Sequence, residues 1–414
     1  MQKNKLLLYT ILFWLFGTSL LAQNNTNSPY SRIAYGNLND NGLSLTRSMG
    51  GVGAALRSDR GINALNPASY TATDSTDFKF DIGVFMKYSS FVDNSGGRNH
   101  KVNGNLGYVA LSIPLGKYFA LSGGLLPYSD MGYNVQLSDS IDYMDDSKML
   151  YHNTYKGGGG LTSYYLGFAG IFLKRVSLGA NVKYINGILE KSQTISFPNN
   201  GEVISSFSNS SLRVNALSFD FGIQYQEIIA QKHKIVLGGT YSPKMKMYTE
   251  YQEFFPKDST TTKDLKFDMP QSFSVGVSYT YDNQLSLVFD YKKEFWSQAA
   301  YKSKLNVLND RTKYAVGVEY VRNQNSLKYI ERVRWHVGAN VYNSYYAYKG
   351  SSVNGFGMNV AVSFPVRQSK TLLNAMLEYE QNGNVKINSL RESIVKITIG
   401  ATINESWFNK RKFN

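Results

Sequence analysis

Lys79, Asp81, Arg334 and Lys396 are the side chains whose types and spacing best suit chemistry. Lys79 and Asp81 alternate with Phe78, Phe80 and Ile82; Arg334 precedes Trp335; Lys396 lies between Val395 and Ile397. Lys87, Lys183, Asp220, Asp290, Glu319 and Glu378 occupy comparable positions in other alternating runs. Ionisable groups gathered on one face of extended chain can grip a carboxylate head group. They can equally pair across strands and with another part of the chain, and this structural role is the commoner one.

Other chemistries find little support. His100, His152, His233 and His336 are far apart and show no ligand spacing, so no metal is implied. The chain has no Cys, which excludes disulfides, thiolate metal sites and a lipid-anchored cysteine. Gly157–Gly160 enters a strand with no following Lys-Ser/Thr and no helix, so it is not a phosphate loop. No Ser/His/Asp order has supporting context. The expectation is a non-enzyme without cofactor.

The elements that hold these residues are strands. Lys79, Asp81, Gly83 and Lys87 face one way, and Phe78, Phe80, Ile82, Val84, Met86 and Tyr88 the other. Trp335, Val337, Ala339 and Val341, and likewise Val395, Ile397, Ile399, Ala401 and Ile403, repeat the pattern. One apolar and one charged face, over runs longer than soluble sandwiches usually use, fit a lipid-facing exterior around a polar lumen. About fourteen such runs follow Phe78, and their links alternate short and long as an up-and-down barrel requires. Short links are Pro114–Lys117, Leu173–Arg175, Asp282–Asn283 and Val366–Lys370; long ones include Val92–Val102, Ser138–Gly158 and Phe254–Met269. Arg322–Arg332 is the exception, a long link where a short turn is due. The expected fold is therefore all-β, a transmembrane antiparallel up-and-down barrel of about fourteen strands with both termini in the periplasm.

Composition agrees. The 31 Tyr and 36 Gly among 414 residues, with 9 Pro, suit strands with aromatic belts better than a helical enzyme. Lys3 and Lys5 precede an apolar run, Leu6–Phe16, and small residues near Ser19–Ala22, which reads as a signal peptide cut after Ala22. No later segment has the roughly 18 apolar residues of a spanning helix. The net charge of +14 suits attraction to anionic outer-membrane lipid and lipopolysaccharide; its scatter along an exported chain argues against nucleic acid.

Between signal and barrel, residues 23–77 form a separate Gly-, Ala- and Asn-rich unit, read as a plug for the barrel of residues 78–414. Met49–Tyr70 lacks period-two alternation and can form a short helix or tucked coil near Met49–Leu56. In Asn66-Pro67-Ala68 the Asn side chain can bond the backbone two residues on, while Pro fixes the next φ. That turn either anchors the plug or lines a path through it.

A Gly/Ala-rich segment, then Asn66-Pro67-Ala68, then the first long strand resembles the hatch of the FadL/TodX outer-membrane transporters. Ser28-Pro29-Tyr30, Met49-Gly50-Gly51 and the ending Trp407–Phe413 resemble the Bacteroidota branch of that superfamily. The resemblance implies passive uptake of a hydrophobic, fatty-acid-like small molecule across the outer membrane, through a plugged lumen and a lateral opening. Gly123, Gly124 and Pro127 in the third strand match the kink that forms this opening; the alternative is a β-bulge with no passage. It also implies a second role found in the branch, as a partner in type IX secretion or an accessory subunit of an outer-membrane assembly. Tyr342–Tyr348, read as an aromatic loop, suits docking to such a protein.

Overall fold

The computed structural model describes residues 26–406, apart from residue 41 and residues 143–147, 174, 199–204, 256–257, 264–266, 302–307, 349–350 and 367–369. The expected signal peptide and the Trp407–Phe413 ending lie outside the described residues. The chain is a closed antiparallel β-barrel of 14 staves.

The first staves are β2 (Asp77–Asp93), β3 (Arg98–Leu115), β4 (Phe119–Asp130) continued by β5 (Tyr133–Asp142), β6 (Lys148–Phe172), β7 (Val176–Ser196) and β8 (Ser206–Ile229). Next come β9 (His233–Ser242) continued by β10 (Met245–Phe255), and β11 (Asp258–Lys263) and β12 (Phe267–Met269) leading into β13 (Ser272–Tyr281). The ring continues with β14 (Leu285–Glu294), β15 (Arg311–Val321), β16 (Arg334–Tyr348), β17 (Ser351–Pro365), β18 (Leu372–Asn382) and β19 (Leu390–Ser406). β19 pairs with β2 from Leu390↔Asp93 to Ser406↔Asp77 and closes the ring. Closure leaves the backbone no open edge along that seam, the condition for strands to sit in hydrocarbon.

Sequence alternation sets the two faces. Val84, Met86, Tyr88, Trp335, Val337, Val341, Val395, Ile397 and Ile399 are exposed on the outside. Lys79, Asp81, Arg334 and His336, of opposite parity, are buried inside. Three-residue turns join staves at one end, between Ile229 and His233 and between Tyr281 and Leu285: Ala230 and Gln231 have φ of 49° and 60°, and Asp282 and Asn283 of 51° and 52°. Left-handed residues in pairs match the twist of adjoining strands. At the opposite, long-loop end the wall rises well past the membrane. β6 has 25 residues and β8 has 24, against the roughly 9–11 needed to cross. Sequence-expected loops such as Val92–Val102 and Ser138–Gly158 are therefore largely strand.

The N-terminal segment, residues 26–76, contacts inward-facing side chains over the whole height of the barrel. Tyr30 donates to the Leu390 carbonyl, level with Asp93 at the long-loop end. Asp74 meets Lys370 near the short-turn end. The segment's helix is Ser44–Arg47, one turn earlier than the Met49–Leu56 stretch expected to coil or form a helix, and its two-residue strand β1 (Asn37–Leu38) pairs with β4.

Candidate functional site

The site is the contact between this segment and the inner wall. Its long-loop half is aromatic. Tyr35 is fully buried, with ring centroids 5.9 Å from Trp296, 5.9 Å from Phe267 and 5.3 Å from Tyr301. Tyr345 packs with its ring centroid 4.6 Å from that of Trp296 at a tilt of 41°, accepts from the Tyr35 N–H at 3.0 Å and donates to the Gly36 carbonyl at 2.6 Å. Tyr345 and Tyr346 are thus interior residues of β16, not members of an aromatic docking loop as the sequence suggested. Their neighbours are inward aromatics, which a linear reading cannot place together.

Below the aromatics lies a charged layer. Asp40 pairs with Arg311 at 2.9 Å and Lys313 at 2.5 Å. Glu294 pairs with Lys292 at 2.5 Å and reaches Arg311 at 3.6 Å. Burial pushes the Asp40 carboxyl upward, but the Arg311 and Lys313 charges outweigh it and hold it well below the usual range. Arg47 pairs with Glu378 at 2.9 Å, and Lys396 lies 3.5 Å from the same carboxylate. Sequence reasoning passed over Asp40, Arg47, Lys292, Glu294, Arg311 and Lys313. The parity that marks Asp290 as inward marks Lys292 and Glu294 too, and Arg311 and Lys313 alternate in the same way on β15.

Deeper, the segment's backbone is bonded by the wall. Asp290 accepts from the Gly53 and Ala54 N–H groups at 2.5 and 2.7 Å. Asn340 donates to the Gly50 carbonyl at 3.0 Å, and Asn359 accepts from the Gly50 N–H at 2.9 Å. Asn66 accepts from the Ala68 N–H at 3.0 Å and donates to the Ala54 carbonyl at 2.6 Å. Pro67 opens a short 3-10 turn, Pro67–Ala72, packed on β6, β7 and β8. Wall glycines make room: a Cβ on Gly222 would stand 2.1 Å from Asn66 Oδ1, and one on Gly238 1.9 Å from the Ala54 carbonyl oxygen. A carbonyl buried in a lumen needs such a partner or costs the free energy of an unmade hydrogen bond.

The four sequence-derived charges have separate hydrogen-bond or ion-pair partners. Lys79 is fully buried and donates to the Gly61 carbonyl at 3.4 Å. Asp81 accepts from Thr402 at 3.2 Å across the closing seam. Arg334 binds Glu319. Lys396 belongs to the Arg47–Glu378 group. No grouping of His, Asp and Glu fit for a metal ion occurs among the described residues.

Gly123, Gly124 and Pro127 lie in β4. β4 pairs with β6 from Phe119 to Asp130, with a register shift between Pro127 and Ser129. It pairs with β3 only from Phe119 to Leu125. Beyond Leu125, its partner on that side is β1: Leu38 faces Ser129 and Asn37 faces Asp130.

The lumen retains cavities of about 120, 170 and 140 Å³ along the segment, bordered by Asp40, Arg311, Glu294, Glu378 and Lys396. A cavity of about 650 Å³ lies at the long-loop end, with Lys156, Glu190, Asn209, Gln252 and Phe254 on its walls.

Fold and lumen define the class: an antiparallel transmembrane β-barrel of the FadL type. Solved structures that resemble it are the toluene transporter TbuX of Ralstonia pickettii (16% identity, 88% of this chain and 98% of that one, TM-score 0.57) and a FadL homologue of Pseudomonas aeruginosa (11%, 89% and 99%, 0.56). The toluene transporter TodX of P. putida is a third (13%, 90% and 100%, 0.55). At these identities the likeness is one of fold. No curated protein matches the sequence. The BamG family model matches residues 1–414, and the chain belongs to the BamG family.

Proposed function

We propose that the protein is a sealed, non-enzymatic barrel of the outer membrane that serves as an accessory subunit of an outer-membrane protein assembly. Residues 1–22 direct its export, residues 23–77 are its plug, and the short-turn end faces the periplasm. One observation carries this reading: the apolar part of the lumen is filled by the chain's own Tyr30, Tyr35, Trp296 and Tyr345. The lumen cavities that remain measure about 120 and 170 Å³, and both have Asp40, Arg311 and Lys313 on their walls. Hydrophobic ligands generally occupy apolar pockets of about 300–1,000 Å³. Charged walls around a smaller space suit water instead.

A second reading is passive uptake of a hydrophobic small molecule. It is supported by the fold shared with the toluene transporters TbuX and TodX, and by the loss of β3–β4 pairing past Leu125. In it, Gly123, Gly124 and Pro127 border a lateral exit, covered from within by β1.

Native mass spectrometry of the gently solubilised protein separates the two. A protein companion at fixed stoichiometry is the result expected. Release of a hydrophobic small molecule, with no companion, would favour uptake and contradict the accessory role.

A further inference from the structure

We infer that the β15–β16 connection is a docking foot for a periplasmic protein carrying an acidic rim around an apolar pocket. The inference rests on the accessory-subunit reading. Residues 322–333 form the connection, at an end where the other links run from three to six residues. It is a built structure: the Asn323 N–H donates to the Glu331 carbonyl at 2.9 Å, and the Lys328 N–H to Ser326 Oγ at 3.1 Å. A short helix, Tyr329–Arg332, follows, with the Arg332 guanidinium 5.5 Å from the Tyr329 ring centre.

This ordered loop displays grease. Leu327 is 97% exposed, Ile330 68% and Tyr329 48%. Presenting such side chains to water on a fixed loop is unfavourable, and clustered exposed apolar residues mark interaction sites. Lipid is one possible cover, but the loop's base points elsewhere. Gln324 accepts at 3.1 Å from Arg334, an inward-facing residue that also holds Glu319. That bond ties the loop's base to the lumen side of the wall. Arg322 pairs with the loop's single acid, Glu331, at 3.9 Å, which leaves Lys328 and Arg332 as excess positive charge beside the apolar tip, so the complementary partner is acidic.

The test places a photoreactive residue at position 327 of the full-length chain in its own cells, with position 283 in a neighbouring turn as control. Native purification compares wild type with Leu327→Asp/Ile330→Asp and with Arg322→Glu/Lys328→Glu. Heat-modifiable migration verifies a folded barrel in each. The expected result is one protein cross-linked from 327 and not from 283, through an apolar segment flanked by Asp or Glu. Both double variants should lower its recovery at least tenfold. An adduct to phospholipid alone, or a companion recovered undiminished with the variants, overturns the foot and leaves the accessory role standing. A wild-type chain with no companion overturns both.

Discussion

Asp290 shows how much a single inward side chain can hold. It is the shared acceptor for the Gly53 and Ala54 N–H groups. Hydrogen bonds to a charged acceptor contribute about 1.5–3 kcal/mol each, and orphaning a buried donor costs a similar amount. Asp290→Ala should therefore loosen the N-terminal segment by about 2–4 kcal/mol, read as faster amide exchange at Gly53 and Ala54 with the barrel intact. Unchanged exchange would show that the carboxylate is not a holding group. Gly238 and Gly239 give a sharper contrast. A Cβ at Gly238 would lie 1.9 Å from the Ala54 carbonyl oxygen, whereas at Gly239 its nearest neighbour is 3.5 Å away. Gly238→Val should displace the segment and make it protease-sensitive; Gly239→Val, one residue along on the other face, should not. Asp40 adds a pH dependence. Its folded pKa is depressed, so its contribution is present above the unfolded value near ~3.9 and is lost as pH falls through the lower folded value. A distance probe between residue 40 and β15 should hold steady from neutral pH down to ordinary carboxylate values and lengthen only in stronger acid. Asp40→Asn should abolish that acid step.

Among the elements, β1 is the smallest and the most telling. It occupies the side of β4 that β3 leaves at Leu125, and the Asn39 N–H extends the contact to the Tyr128 carbonyl at 2.9 Å. Asn39→Pro removes that donor and should raise exchange at Ser129 and Asp130 while leaving β2–β19 closure untouched. Protection unchanged at those two positions would mean that β1 does not stabilise β4. The staves were legible in the sequence because lipid imposes alternation: Val395, Ile397 and Ile399 face out, while Lys396 and Thr398 face in. Where both faces meet water the signal disappears. In β5 the stripe of Tyr133, Val135 and Leu137 is broken at Asp139, among Ser138, Ser140 and Asp142, and so the strand was read as loop beyond Leu137. The hairpin turns were legible for local reasons, Asp282-Asn283 most clearly. The segment–wall contacts were legible only in part. Asn66-Pro67-Ala68 is a local turn with its own residues, whereas Asp40–Arg311 and Tyr35–Trp296 join residues over 250 positions apart. Nothing in either stretch alone announces the other.

For the molecule as a whole, the barrel and the N-terminal segment have separable tasks. The wall closes through β2–β19 pairing and presents a lipid-facing surface. The segment contacts the inner wall through Tyr30 and Tyr35 above, Asp40 and Arg47 in the middle, and Asn66-Pro67-Ala68 below. This division makes the sealed state the central claim, and ion conductance in a planar bilayer tests it most directly. The wild-type chain should be electrically silent at moderate voltage, while a chain lacking residues 26–76, still heat-modifiable, should open steady channels. A wild-type barrel that conducts like the truncated one, or a folded truncated barrel as silent as wild type, would contradict the account.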